Sequence, residues 1–349
     1  MTRVTLVSYD DDPPLGGQGR LVRGIRVALA ERGHLIATVA GHGAHRLSYP
    51  RVTGRPPLDF SIYLNRRPEV IRATRPDVVH ASGGPGGVLL LRSVGAPLVY
   101  SANHTYRMAH GRGSARRLLS PLEGRAYRQA AMVLAISAST ADAVRALGVP
   151  ARRIEVLHPG VELTVSATSA RHADRLMFAG RWEPEKNVLD AVAVMRQVIA
   201  QRPGTTAVVV GHGSLAAEVS QAVAGVPDIE VAGHLDDAQL AAEYARASLV
   251  IVPSQYEGLG LVALEAQSHG AVAVGYDVEG LRDAIPDPEL LVPPGDLAGL
   301  VALCVALIDA PDRRHEVAAS GLERVRTERS WQRVACRLEE VYAEVLAAG

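Results

Sequence analysis

Lysine is almost absent from this chain: of 37 lysines and arginines in 349 residues, one, Lys186, is lysine. Arginine does every other cationic job, a bias that fits a GC-rich coding sequence in which lysine codons give way wherever arginine will serve. The surviving lysine then marks a task that a planar guanidinium performs poorly, namely a compact ammonium read as a point charge by a phosphate or used as a nucleophilic amine. Cysteine is nearly as scarce. Cys304 and Cys336 lie well apart in helix-like stretches without metal-ligand spacing, which argues against a disulfide scaffold or a structural zinc site and fits a reducing cytoplasm. Net charge is absent too, at a formal value of zero, so no overall field points to nucleic acid or acidic membranes. No apolar run approaches the roughly 20 residues needed to span a bilayer. The opening segment 1–9 is too short an apolar run for a signal peptide and reads as a buried strand.

What is present is 48% hydrophobic content in a chain long enough for two domains with real cores. Short apolar runs at 4–9, 35–40, 77–80, 97–100 and 131–137 alternate with helix-length segments, as a parallel sheet covered on both faces requires. The polar, small-residue stretch 164–173 has no periodicity and reads as a linker. The alternation restarts at 175–179 and continues through runs at 207–211, 229–233, 249–253 and 271–275. The expected fold class is therefore α/β, with two Rossmann-like doubly wound domains at 1–162 and 163–329. The apolar period of Trp331, Val334, Leu338, Val341, Tyr342 and Val345 makes 330–349 a terminal helix, expected to pack back on the first domain.

In open α/β sheets ligands bind beyond the carboxyl ends of strands, so residues directly after each apolar run carry the chemistry. After the first run, Asp10-Asp11-Asp12-Pro13-Pro14-Leu15-Gly16-Gly17-Gln18-Gly19 offers glycines that permit close backbone approach, but neither the full dinucleotide fingerprint nor a P-loop. The three aspartates read as solvated loop residues rather than a metal site. His104 ends another strand, where an imidazole can polarise or position a hydroxyl. Arg181 and Lys186 straddle a strand end and an expected helix start at Pro184, and two cations there would neutralise a diphosphate without a metal ion. Finally, Glu257-Gly258-Leu259-Gly260-Leu261-Val262-Ala263-Leu264-Glu265 reads as loop into helix. Were it all helical, its two carboxylates would stand about 12 Å apart on a similar face. Amides of Gly258, Leu259, Gly260, Leu261 and Val262 would form an anion site between them.

These motifs, in this order and over nearly the whole chain, resemble the retaining GT-B glycosyltransferases of family 4. The resemblance rests on the glycine loop after the first strand, Gly180-Arg181 with Lys186-Asn187, Gly211-His212-Gly213, and Glu257 and Glu265 with seven residues between them. It implies two domains facing a cleft, the first binding acceptor and the second a nucleotide-sugar. It further implies that Arg181 and Lys186 bind the donor diphosphate, Glu257 the transferred sugar and Glu265 the ribose hydroxyls. Gly16 and Gly17 would approach the phosphates or sugar, His104 the sugar near the reacting centre, and the segment around Val231 the base. Leu259 stands where phenylalanine is common, and Gln267-Ser268-His269-Gly270 replaces a more usual Met-Ala-Cys-Gly; both bear on pocket shape and hence on sugar preference.

The implied reaction is a front-face substitution that needs no cofactor and no metal. The donor would be a UDP- or GDP-linked hexose, the acceptor a small molecule or a lipid-linked intermediate, and nucleic acid is not expected. Two enzyme alternatives use the same residues: a phosphorylase with pyridoxal phosphate on Lys186, and a sugar-nucleotide epimerase. A non-catalytic sugar- or membrane-binding protein is the third. Arg107, Arg112, Arg116, Arg117, Arg125 and Arg128 form a basic segment suited to anionic lipid, although the favoured reading is a solvated helix face with Leu118, Leu119 and Leu122 turned to the core.

Overall fold

A computed structural model describes residues 1–108, 114–162 and 174–348. The expected linker and Arg112 lie outside the described residues, as do the side chains of Arg116 and Arg117. The chain forms two compact units, Met1–Gly160 with Trp331–Gly349, and Val161–Ser330.

The first unit runs β1 (Arg3–Ser8), α1 (Gly17–Glu31), β2 (Leu35–Ala40), α2 (Pro56–Arg66), α3 (Glu69–Arg72), β3 (Val78–Gly83) and β4 (Leu98–Ala102). It continues with α4 (Ser114–Gln129), β5 (Met132–Ala135), α5 (Ala138–Ala146) and β6 (Ile154–Val156). All its strand pairings are parallel, in the order β2-β1-β3-β4-β5-β6. Continuous apolar runs such as Val4–Leu6–Val7 and Val78–Val79 are buried because helices cover both faces. The second unit runs β7 (Arg175–Ala179), α6 (Val188–Gln201), β8 (Thr206–Val210), α7 (Ala216–Val223), β9 (Ile229–Gly233), α8 (Asp237–Arg246) and β10 (Leu249–Val252). It closes with α9 (Leu261–Ser268), β11 (Val272–Tyr276), α10 (Glu279–Ala284), β12 (Leu291–Val292), α11 (Leu297–Asp309) and α12 (Pro311–Glu328). Its sheet is also parallel, ordered β12-β11-β10-β7-β8-β9. Among the described residues no helix is long and apolar enough to cross a membrane.

The terminal helix α13 (Trp331–Ala347) belongs to the first unit, where Val334, Leu338, Val341, Tyr342 and Val345 share a core with Val4, Leu6, Leu29 and Val99. A polar pin sits in that core: the Tyr342 hydroxyl lies 2.6 Å from His80 Nδ1, and His80 Nε2 lies 2.8 Å from Ser101 Oγ. Of the leucines expected to face the core, Leu119 packs against it, whereas Leu118 is 73% exposed and Leu122 39%. Leu118 and Leu122 lie one turn apart on the helix side turned away from the core, and Leu119, about 100° round from Leu118, is on the side that meets it.

Two buried groups of this unit set opposing pH trends. Burial pushes His80 down from its ordinary 6.5 to about 4, so the folded state keeps it neutral and loses stability as pH falls from 6.5 toward 4. Glu123 is buried on α4, where desolvation outweighs the Tyr106 amide and Tyr127 hydroxyl and lifts its carboxyl from 4.5 to about 8. The folded state therefore holds a proton that the unfolded chain sheds, and stability falls as pH rises from 4.5 through 8. The trends oppose each other up to 6.5, above which only that of Glu123 continues. Thermal unfolding between pH 6.5 and 8 is expected to show a declining Tm, and Glu123→Gln, which cannot ionise, to flatten that decline; an unchanged slope would assign it to another group.

Candidate functional site

The second sheet reverses its order between β7 and β10: the chain leaves β7 for β8 and β9, then returns to the other side of β7. Such a switch point leaves a crevice beyond the strand ends. The loops after β7 and β10 carry Lys186 and Glu257. The Lys186 ammonium donates to Glu257 Oε1 at 2.7 Å, and the hydroxyl of buried Ser254 donates to the same oxygen at 2.7 Å. Both loops are laced together, since Asn187 Nδ2 donates to the Pro253 carbonyl and the Gln255 amide to the Glu185 carbonyl, each at 2.9 Å. Gly280 on α10 lies directly against this loop. A Cβ there would lie 2.1 Å from the Glu257 carbonyl oxygen, so only glycine lets α10 support Glu257.

Two local expectations are corrected. Pro184 opens a single 3-10 turn, Pro184–Lys186, rather than the helix; Asn187 then adopts a left-handed backbone (φ 49°) and α6 begins at Val188. Proline presets the dihedral for either kind of first turn, so its presence does not distinguish them. Likewise α9 begins at Leu261, after Gly260 at φ 82°, so Glu257 stands in a loop and helical spacing does not measure its distance to Glu265. Leu259 is only 2% exposed and offers a ligand no side-chain surface, while Leu261 and Val262 are half-buried in the first turn. Arg181 is exposed and pairs with Glu185 at 3.0 Å.

Glu265 sits one turn into α9, its Oε2 accepting from the hydroxyl of buried Tyr244 at 2.8 Å. Val231 is 40% exposed on edge strand β9. Gly211 closes β8, its amide donating to the Gly233 carbonyl at 2.7 Å.

In the first unit two of the three aspartates are buried rather than solvated, while the side chain of Asp12 is 40% exposed. Asp10 is buried and accepts from the amides of Leu15 (2.9 Å), Gly16 (3.2 Å) and Gly19 (3.0 Å), so a side chain of the loop itself fills the anion-favouring start of α1. Burial holds its carboxyl above the usual range against the pull of these amides. Asp11 is fully buried, 2.7 Å from His45 Nδ1, and Asp12 accepts from Arg26 at 3.0 Å. Among the described residues no group of three His, Cys, Asp or Glu side chains is arranged to hold a metal ion. At Gly16 a Cβ would meet no atom within 4 Å, so protein packing does not demand glycine there. Gly17 begins α1 and is exposed.

His104 follows β4 and is half-buried, its carbonyl lying over Gly84. Beside these residues is a constellation that the sequence reading missed: Gln18 Nε2 and Asn103 Nδ2 both donate to Ser82 Oγ at 2.9 Å. Three elements thus converge carboxamides and a hydroxyl at the ends of β1, β3 and β4. Ser82 opens a Ser-Gly-Gly-Pro-Gly-Gly loop, and that glycine density was the available signal.

Two family models match the chain, Glycosyltransferase Family 4 over residues 15–165 and Glycosyl transferases group 1 over residues 173–310. The chain is 27% identical to a glycogen synthase of Mycobacterium tuberculosis, over 97% of this chain and 94% of that protein. It is 30% identical to D-inositol 3-phosphate glycosyltransferase 1 of Catenulispora acidiphila, over 78% and 73% respectively. Among solved structures, HepE from Anabaena in complex with UDP-glucose superposes with a TM-score of 0.75 at 17% identity, covering 99% of this chain and all of that one.

Proposed function

This chain belongs to glycosyltransferase family 4, and from that premise we propose that it transfers a hexose-type sugar, with retention of configuration and without a metal ion, from a nucleoside-diphosphate donor to an acceptor hydroxyl. The observation that carries the reading is the Lys186–Glu257–Ser254 cluster at the second unit's switch point, with Glu265 on the helix that follows. Lys186 and Arg181 hold the diphosphate, the amides around Gly260–Val262 assist, Glu257 orients the sugar and Glu265 the ribose. Val231 borders the base. In the front-face substitution the leaving diphosphate oxygen takes the acceptor proton while Lys186 and Arg181 stabilise its developing charge. The first unit holds the acceptor, with Gln18, Ser82 and Asn103 matched to hydroxyl groups that both donate and accept, and His104 near the transferred sugar. A UDP-linked donor is favoured because HepE is described with UDP-glucose.

The test is a thermal-shift screen of UDP-, GDP-, ADP- and dTDP-sugars, followed by transfer assays on inositol-type and aminocyclitol acceptors in chelator. A donor-dependent rise in Tm followed by α-linked product supports the reading. Bound pyridoxal phosphate, seen by absorbance, or donor conversion without acceptor overturns it in favour of a phosphorylase or an epimerase.

A further inference from the structure

Glu265 is held by a side chain from the neighbouring helix α8. Tyr244, on α8, is 2% exposed, and its hydroxyl donates to Glu265 Oε2 at 2.8 Å. Its ring stacks on His269, with centroids 5.5 Å apart and planes inclined by 25°. His269 follows Glu265 by four residues, so the imidazole and the carboxylate share a helix side one turn apart. The His269 ring is itself fixed, with Nδ1 2.8 Å from the Glu265 carbonyl oxygen and 3.1 Å from Ser268 Oγ. A phenol seated between these two residues therefore has one place for its hydroxyl.

A glutamate at a helix surface samples several rotamers, and a ligand that needs one of them must offset the ordering cost. A charge-assisted bond from a buried phenol removes that cost in advance. A carboxylate offers about four acceptor positions on two oxygens, more than Tyr244 takes, so the bond leaves capacity for ligand hydroxyls.

We propose that Tyr244, braced by the His269 ring, is a positioning residue that presets Glu265 for the hydroxyls of the donor ribose. This rests on the ribose role given to Glu265 under the proposed function. Without the Tyr244 hydroxyl, Glu265 stays charged and present but is no longer oriented, so discrimination for the ribose 2′-hydroxyl falls while sugar transfer from bound donor continues.

The experiment measures binding of UDP, GDP and ADP to the full chain by calorimetry, then compares the tightest binder with its 2′-deoxy form on wild type, Tyr244→Phe, His269→Gln and Glu265→Gln. The wild type is expected to prefer the ribo form about tenfold, the worth of one hydrogen bond to a charged group. Tyr244→Phe should reduce that preference to below threefold and raise donor KM with kcat nearly unchanged. His269→Gln should give a smaller change in the same direction, and because it leaves Tyr244 in place it reports on the brace if the phenylalanine variant fails to fold. If Glu265→Gln abolishes the preference and both other variants retain it, Tyr244 merely packs and the proposal is overturned. If Glu265→Gln binds both forms like wild type, the ribose role of Glu265 fails and the proposal fails with it.

Discussion

Lys186→Ala is expected to lower kcat by about two to three orders of magnitude, the usual loss when one charge-stabilising donor is removed from a developing anion. Lys186 ends a tight 3-10 turn whose Pro184 and Glu185 carbonyls accept from Gln255 of the neighbouring loop, and its ammonium donates to Glu257. A diphosphate entering that position exchanges one anionic partner for another, so the charge remains compensated in either state. Lys186→Arg should recover little, because a planar fork on a stiffer head cannot take the place of a compact ammonium against Glu257 and Ser254. Stability should move far less than activity: Ser254 still donates to Glu257, and the Lys186 side chain is already 24% exposed. Steady-state kinetics with Tm as control checks this. An unchanged kcat/KM in Lys186→Ala would remove the lysine from the reaction.

Legibility in the sequence followed the range of the interactions. Strands covered on both faces announce themselves as continuous apolar runs, so both sheets and the terminal helix were readable. The strand, glycine loop and helix that carry Glu257 and Glu265 were legible because they follow one another locally. What escaped was whatever the closure of the loops decides. Nothing in Asp10-Asp11-Asp12 tells that its first two carboxylates are buried, because the amides of Leu15, Gly16 and Gly19 donate to Asp10 only once the loop wraps around it, and the His45 imidazole beside Asp11 lies 34 residues away. Ser82 was overlooked for the same reason, its two donors lying 64 and 21 residues away. The start of α9 was misplaced because Gly258 and Gly260 are both compatible with a helix cap, and only the backbone at Gly260 (φ 82°) chooses between them.

Gly211 shows how a motif glycine can serve the fold before it serves a ligand. The sequence pattern groups it with donor-binding residues, yet the structure supplies a demand internal to the protein. Its backbone lies at φ 131°, where a side chain is strained whatever the space. A Cβ would lie 1.8 Å from the Gly180 carbonyl oxygen and 3.1 Å from the Trp182 indole nitrogen. Neither neighbour can yield easily: the Gly180 amide is bound to the Val210 carbonyl and the Trp182 amide to the His212 carbonyl, and Trp182 is 4% exposed. These bonds connect the ends of β7 and β8, and the first of those strands leads directly to Arg181 and Lys186. Gly211→Ala is therefore expected to cost about 3 kcal/mol, at the upper end for forcing atoms into a packed site. For a unit of this size that corresponds to a fall in Tm of about 6–12 °C without any ligand present. Differential scanning calorimetry of the unliganded variant separates the two roles. A lowered Tm assigns Gly211 to the strand junction, whereas a wild-type Tm with weakened nucleotide binding would make it a ligand contact instead.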